Sequence, residues 1–132
     1  LKQFGLSAKE RIKSKNEFDL VYSKGEILFS SSNKLKAVFF IERENGEAVV
    51  KTAFAVSSKS GKAVWRNRVK RILRNSLRLN KQTLFEEAKL KKIKLLVVFS
   101  PNRINELNNR KISLKDVQMD VIDLLDQIRA KL

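Results

Sequence analysis

The sequence predicts an α+β fold: a two-layer α/β sandwich in which about four strands form one mixed sheet and three helices pack against it. Two observations predict it. The hydrophobic period switches between helical and strand spacing in the order helix, strands, helix, strand, helix. The 132 residues suffice for one core and fall short of the size at which cores divide. Hydrophobic residues make up 42% and charged residues 33%, which suits a single domain spanning 1–132 rather than a disordered chain. The basic stretch 1–13 is expected as a flexible N-terminus.

Ser14-Lys15-Asn16-Glu17 has the form of a capping box, in which Ser14 and Glu17 each accept a bond from a backbone N–H left free at a helix start. Phe18, Val21 and Tyr22 then share one face, and Gly25 offers a left-handed stop, so the first helix covers about 15–24. From Ile27 the texture becomes strand-like. ILFSSS is expected as a short edge strand, and LKAVFFIER and EAVVKTAFAVS as longer ones. Asn45-Gly46 sits between the latter two and predicts that they pair as a hairpin, because both turn positions need positive φ. Alternation in the second strand puts Leu35, Ala37, Phe39 and Ile41 on one face and Lys36, Val38, Phe40 and Glu42 on the other.

A polar break at 57–61 precedes a second helix, from about 62 to 80. Trp65, Val69, Ile72, Leu73 and Leu77 form one stripe that should face the sheet. KQTLFEEAKLKK is weakly helical. IKLLVVFS is apolar on both faces and therefore central, and Pro101 closes it. An Asn-rich loop follows, and Ser113 caps a last helix. Its buried side is Leu114, Val117, Val121, Leu124, Leu125, Ile128 and Leu132, with Asp116, Asp120, Asp123 and Asp126 outside as an acidic, exposed face.

The charge is the unusual quantity. Lys and Arg number 29 against 14 Asp and Glu, and self-repulsion of this size calls for a polyanion. An anionic membrane is one candidate. An apolar run as short as Leu95–Phe99, which no other run exceeds, is far below the roughly 20 residues of a spanning helix. No secretory signal pattern is present, so a cytoplasmic protein is expected. Cys and His are both absent, which excludes disulfides, thiolate nucleophiles, imidazole bases and Cys/His zinc sites. Metal-dependent phosphodiester hydrolysis needs clustered carboxylates; none is visible, so no catalytic residue and no metal ligand is assigned.

Between Ala48 and Phe85 there is no Asp or Glu, while ten residues are Lys or Arg. A salt-bridged surface helix would alternate signs, so this excess needs an external partner. Inside the helix arginines outnumber lysines, and guanidinium groups suit bidentate phosphate contacts. Asn67, Arg71, Arg74 and Arg78 make one line along it, with Arg66 and Lys70 beside them. The Ser58–Lys62 loop at the helix start could also leave N–H groups for a phosphate. Spacing alone does not separate RNA from DNA, but the strands flanking this helix argue against a helix-turn-helix module. Independently, Phe18 and Tyr22 offer aromatic faces for stacking on bases, Tyr22 the better placed for a solvent-facing wall and Phe18 the more natural core residue.

Residues 54–74, FAVSSKSGKAVWRNRVKRILR, resemble the signature of the bacterial ribonuclease P protein component, with its Arg66-Asn67-Arg68 core followed by Lys70-Arg71. NEFDLVYSKG at 16–25 is similar to that family's N-terminal helix. Ser58 stands where the family usually has a basic residue and Lys62 where it often has Asn, so the charge of the entry loop is roughly preserved. The resemblance implies an α/β sandwich with a left-handed βαβ crossover. It also implies an accessory subunit, expected as a monomer in a 1:1 ribonucleoprotein. Its partners are a catalytic RNA, which holds the Mg²⁺, and precursor tRNA, whose 5′ leader is removed by endonucleolytic cleavage. Carried over, Arg66, Asn67, Arg68, Lys70, Arg71 and Arg74 are RNA contacts, and the basic run adds Lys59, Lys62 and Arg78 to them. The leader cleft takes Phe18, Tyr22 and either Phe39 or Phe40. The alternatives are a ribosomal or other structural RNA-binding protein without a role in tRNA processing, and a nuclease that cuts RNA unaided.

Overall fold

The computed structural model describes residues 10–43 and 48–132. Helix α1 (Lys15–Lys24) is followed by β1 (Glu26–Phe29), β2 (Leu35–Glu42) and β3 (Val49–Phe54). Then come α2 (Ala63–Asn80), α3 (Gln82–Leu90), β4 (Lys94–Pro101) and α4 (Leu114–Lys131). The α+β class is as expected, and the weakly helical piece at 82–90 is a fourth helix.

The four strands form one sheet in the order β1-β2-β4-β3. β2 runs antiparallel to both β1 and β4, and β3 runs parallel to β4. The expected hairpin of β2 with β3 is therefore wrong: β4 lies between them. The reason is the two-faced apolarity of β4, where residues 95–99 are all buried. A strand with no polar face needs a hydrogen-bonded neighbour on each edge and cover above and below, and this outweighs a local turn signal. Asn45 and Gly46 themselves lie outside the described residues.

Each face of the sheet has its own core. On one, Leu35, Ala37 and Phe39 from β2 meet Trp65, Val69, Leu73 and Leu77 of α2 and Val117, Val121, Leu124 and Ile128 of α4. On the other, α1 lays Val21 on Val38, Leu96 and Val98, with Phe18 and Phe40 packed at the margin. The α2 stripe is thus seated as its spacing predicts, with Val69, Leu73 and Leu77 fully buried. Truncating a side chain such as Trp65 to Ala would cost about 3–5 kcal/mol.

Several local expectations change. The Ser14 hydroxyl does accept from the Glu17 N–H at 3.0 Å. The Glu17 carboxylate, however, turns to the sheet, 3.1 Å from Lys51 Nζ and 3.3 Å from Lys94 Nζ. Gly25 is extended (φ −79°, ψ 167°), not left-handed. Its need is space, since a Cβ there would lie 2.3 Å from the Val21 carbonyl oxygen and 2.8 Å from that of Phe39. Residues 10–12 are not a free tail: the Ile12 N–H donates to the Thr52 carbonyl at 2.9 Å and its side chain is buried. The α4 aspartates do not form a simple exposed face either. Asp120 is buried and accepts from the Ser32 hydroxyl, and Asp123 accepts the Ser31 N–H at 2.7 Å, so together they clasp the β1–β2 turn. Among the described residues no helix is long and apolar enough to cross a membrane.

Candidate nucleic-acid interface

With its apolar side locked to the sheet and α4, α2 turns the opposite side to solvent. Asn67, Arg68, Arg71 and Arg74 are exposed, and Arg66, Lys70 and Arg78 are partly so. Lys59 and Lys62, just before the helix, are also exposed. Among the described residues none of these cations forms an ion pair. The salt bridges run instead through Lys51, Lys81, Lys94, Arg129 and Lys131. Lys81 closes the basic run differently from the others, buried and 3.1 Å from the Glu10 carboxylate. The strip is therefore a line of uncompensated positive charge on a rigid element, the arrangement that attracts a polyanion.

The start of α2 is held shut by the protein itself. The Glu106 carboxylate accepts the Lys62 N–H at 2.8 Å, and the Glu106 N–H donates to the Ser60 carbonyl at 2.8 Å. A phosphate would have to displace this carboxylate to use that amide, so the entry loop is not the open anion nest its sequence suggested. Gly61 makes the closure possible: a Cβ there would sit 2.8 Å from both Glu106 Cβ and Trp65 Cε3. The Arg66 Nε–H donates to the Gly61 carbonyl at 3.1 Å, spending one of its donors on the same corner.

A groove of about 490 Å³ lies beside the strip, over the C-terminal ends of β3 and β4. Phe18 and Tyr22 of α1 form one wall, Lys36, Ser100 and Pro101 the floor, and Phe54 and Lys70 the side toward α2. Tyr22 is 54% exposed, as a solvent-facing wall should be. Partial burial still pushes its phenol above the ordinary value, so the hydroxyl stays protonated and can donate. Phe18 is half-buried and serves both the α1 core and the groove. Of the pair left open on β2, Phe39 is a correction: it is 4% exposed and belongs to the core on the opposite face. Phe40 faces the α1 side but packs into that core rather than lining the groove.

Phe54, Lys36, Ser57, Ser100 and Pro101 were not singled out as site residues from the sequence. Their one advance signal was position at predicted strand ends, and it becomes informative only once β3 and β4 are known to be parallel neighbours, where ligands gather at the carboxyl ends. Phe54 is the most consequential. Its ring stacks on Phe99 (centroids 5.9 Å apart, planes at 19°) and carries the Arg74 guanidinium 5.8 Å from its centroid. Lys70 and Arg74 thereby join the strip to the groove. Among the described residues no group of three or more His, Cys, Asp or Glu side chains is placed to hold a metal ion.

A family model for ribonuclease P matches residues 6–127, nearly the whole chain. The chain belongs to the ribonuclease P protein family. It is 43% identical over 68 residues to the ribonuclease P protein component of Maridesulfovibrio salexigens, an alignment covering 52% of each protein. It is 39% identical over 77 residues to that of Alkaliphilus oremlandii, covering 58% of this chain and 63% of the relative. The matched part thus spans between half and two thirds of these relatives' length. The fold is shared with the ribonuclease P protein of Staphylococcus aureus (TM-score 0.66, 18% identity, 90% of this chain and 94% of the other). It is shared likewise with that of Thermotoga maritima (TM-score 0.64, 22% identity, 89% and 96%).

Proposed function

We propose that this protein is the protein subunit of ribonuclease P, a cytoplasmic monomer that joins one catalytic RNA and assists endonucleolytic removal of the 5′ leader from precursor tRNA. The observation that carries this reading is the junction of the unpaired strip with the aromatic groove at Lys70, Arg74 and Phe54. A folded RNA offers the strip a wall of phosphates, and a single strand offers the groove bases to stack. Arg66, Asn67, Arg68, Lys70, Arg71, Arg74 and Arg78 meet phosphates of the catalytic RNA, with Lys59 and Lys62 extending the track. Phe18, Tyr22 and Phe54 stack on leader bases at roughly 1–3 kcal/mol per base, with little sequence preference. Such tolerance suits a leader that varies from one precursor to the next.

In this reading hydrolysis belongs to the RNA and the Mg²⁺ that it holds, and among the described residues no carboxylate cluster is placed to hold a metal ion. What the protein contributes is positive charge where two polyanions must approach, and a fixed place for the substrate strand. The test is reconstitution: purified protein, a catalytic RNA and a precursor tRNA at low Mg²⁺. The reading expects 5′ cleavage well above that of the RNA alone, and no cleavage by protein stripped of nucleic acid. No gain over RNA alone would overturn it.

A further inference from the structure

We infer that a second phosphate-binding patch, formed by Lys34, Arg103, Arg110 and Lys111, takes the backbone of single-stranded RNA where the strand leaves the groove past Pro101. This rests on reading the groove as a single-strand site.

The patch is built on the segment between β4 and α4, which is fastened to the body at several points. The Asn102 N–H donates to the Lys34 carbonyl at 2.8 Å, the Trp65 Nε1–H donates to the Asn109 carbonyl at 3.0 Å, and Ile104 and Ile112 are buried. The backbone that carries its cations is consequently held in place before any ligand arrives, which lowers the ordering cost of binding. Lys34, Arg110 and Lys111 line a cavity of about 280 Å³. All four cations are exposed, and among the described residues none is in an ion pair. Asp116, the carboxylate lining the same cavity, is engaged by the Ser113 N–H at 2.8 Å and the Ser113 hydroxyl at 3.0 Å.

Two features choose the ligand. Among the described residues no aromatic side chain lines this cavity, so these side chains can hold phosphates but cannot stack bases, the reverse of the groove. It also adjoins the groove: Pro101 and Lys36 line the groove, while the N–H of Asn102, one residue beyond Pro101, donates to the carbonyl of Lys34, two residues before Lys36. A strand passing over Pro101 therefore moves from an aromatic surface to a cationic one.

The experiment uses the reconstituted holoenzyme and two precursors, one with a leader confined to the groove and one long enough to pass Pro101. The double variant Arg110→Gln/Lys111→Gln should bind the short-leader precursor as the parent does and lose affinity for the long one. With about −0.7 in salt slope per phosphate contact on a single strand, the parent's affinity for the long leader should fall about sevenfold further than the variant's between about 50 and about 200 mM salt. Lys91→Gln/Lys92→Gln, an equal charge loss at an exposed turn elsewhere, should show neither effect. Equal loss for both leaders, no loss for either, or the same loss in the Lys91/Lys92 control would each overturn the patch, while cleavage by the parent holoenzyme would leave the proposed function standing.

Discussion

The Arg74 guanidinium lies over the ring of Phe54, 5.8 Å from its centroid. One residue belongs to the cationic strip and the other to the groove, so the contact ties together two surfaces from different elements. Phe54→Leu keeps most of the apolar volume and removes the π face. We expect a stability loss of about 0.5–1.5 kcal/mol, mostly from the cation–π and stacking contacts. Leader affinity should fall more than affinity for the catalytic RNA. Equal losses for both ligands would show that Phe54 is only a support for α2.

Gly61 is extended (φ 169°), so crowding rather than backbone strain governs substitution there. Gly61→Ala forces a Cβ against Glu106 and Trp65 at 2.8 Å and should cost about 1–3 kcal/mol. Thermal denaturation measures the loss. It should be smaller in a Glu106→Gly background, where both obstructing Glu106 atoms, Cβ and Oε1, are gone, and full additivity would contradict the account.

Burial raises the Glu17 carboxyl, but the bonds and charges of Lys51 and then Lys94 outweigh it, so its pKa falls below the ordinary 4.5. The group is then more acidic folded than unfolded. Its contribution to stability is complete above the unfolded value and is lost as pH falls through the folded one. Asp123 is lowered in the same way: its burial acts upward, and the Ser31 and Gln127 bonds prevail. The melting temperature of the parent should therefore drop between about pH 5 and about pH 3. Glu17→Gln should lie below the parent near neutrality and converge with it in acid. A gap that stays constant across that range would count against the two-lysine clasp.

Ser76 is fully buried on α2, and its hydroxyl has no hydrogen-bond partner among the described residues. A buried donor without a partner carries its desolvation cost, and Ala is also the better helix former. Ser76→Ala should therefore raise stability by about 0.5–1.5 kcal/mol, read as a higher denaturation midpoint with an unchanged slope. A lower midpoint would mean that the hydroxyl is bonded after all.

What could be read in advance depended on how local its cause was. The α2 stripe, the Ser14 cap and the centrality of β4 follow from side-chain periodicity or a single hydrogen bond, and all three are present. The Asn45-Gly46 signal failed because strand partners are chosen by a nonlocal demand, the burial of both faces of residues 95–99. Phe39 and Phe40 were indistinguishable because β2 is covered on both faces, so alternation shows that they diverge without saying which one meets α1. Phe54 was invisible as a site residue until β3 and β4 became parallel neighbours. Asp120 and Asp123 looked like an outer face because their partners, Ser31 and Ser32, lie about 90 residues earlier in the chain.

The central claim is that α2 is an anchored helix whose cationic side meets phosphates. The salt dependence of binding to the catalytic RNA tests it most directly. If about six of the unpaired cations make contact, log affinity should fall against log salt with a slope of about −5, and Arg71→Ala/Arg74→Ala should reduce it by about 2 while leaving the fold intact. A shallow slope in the parent, or one that the double substitution leaves unchanged, would contradict it.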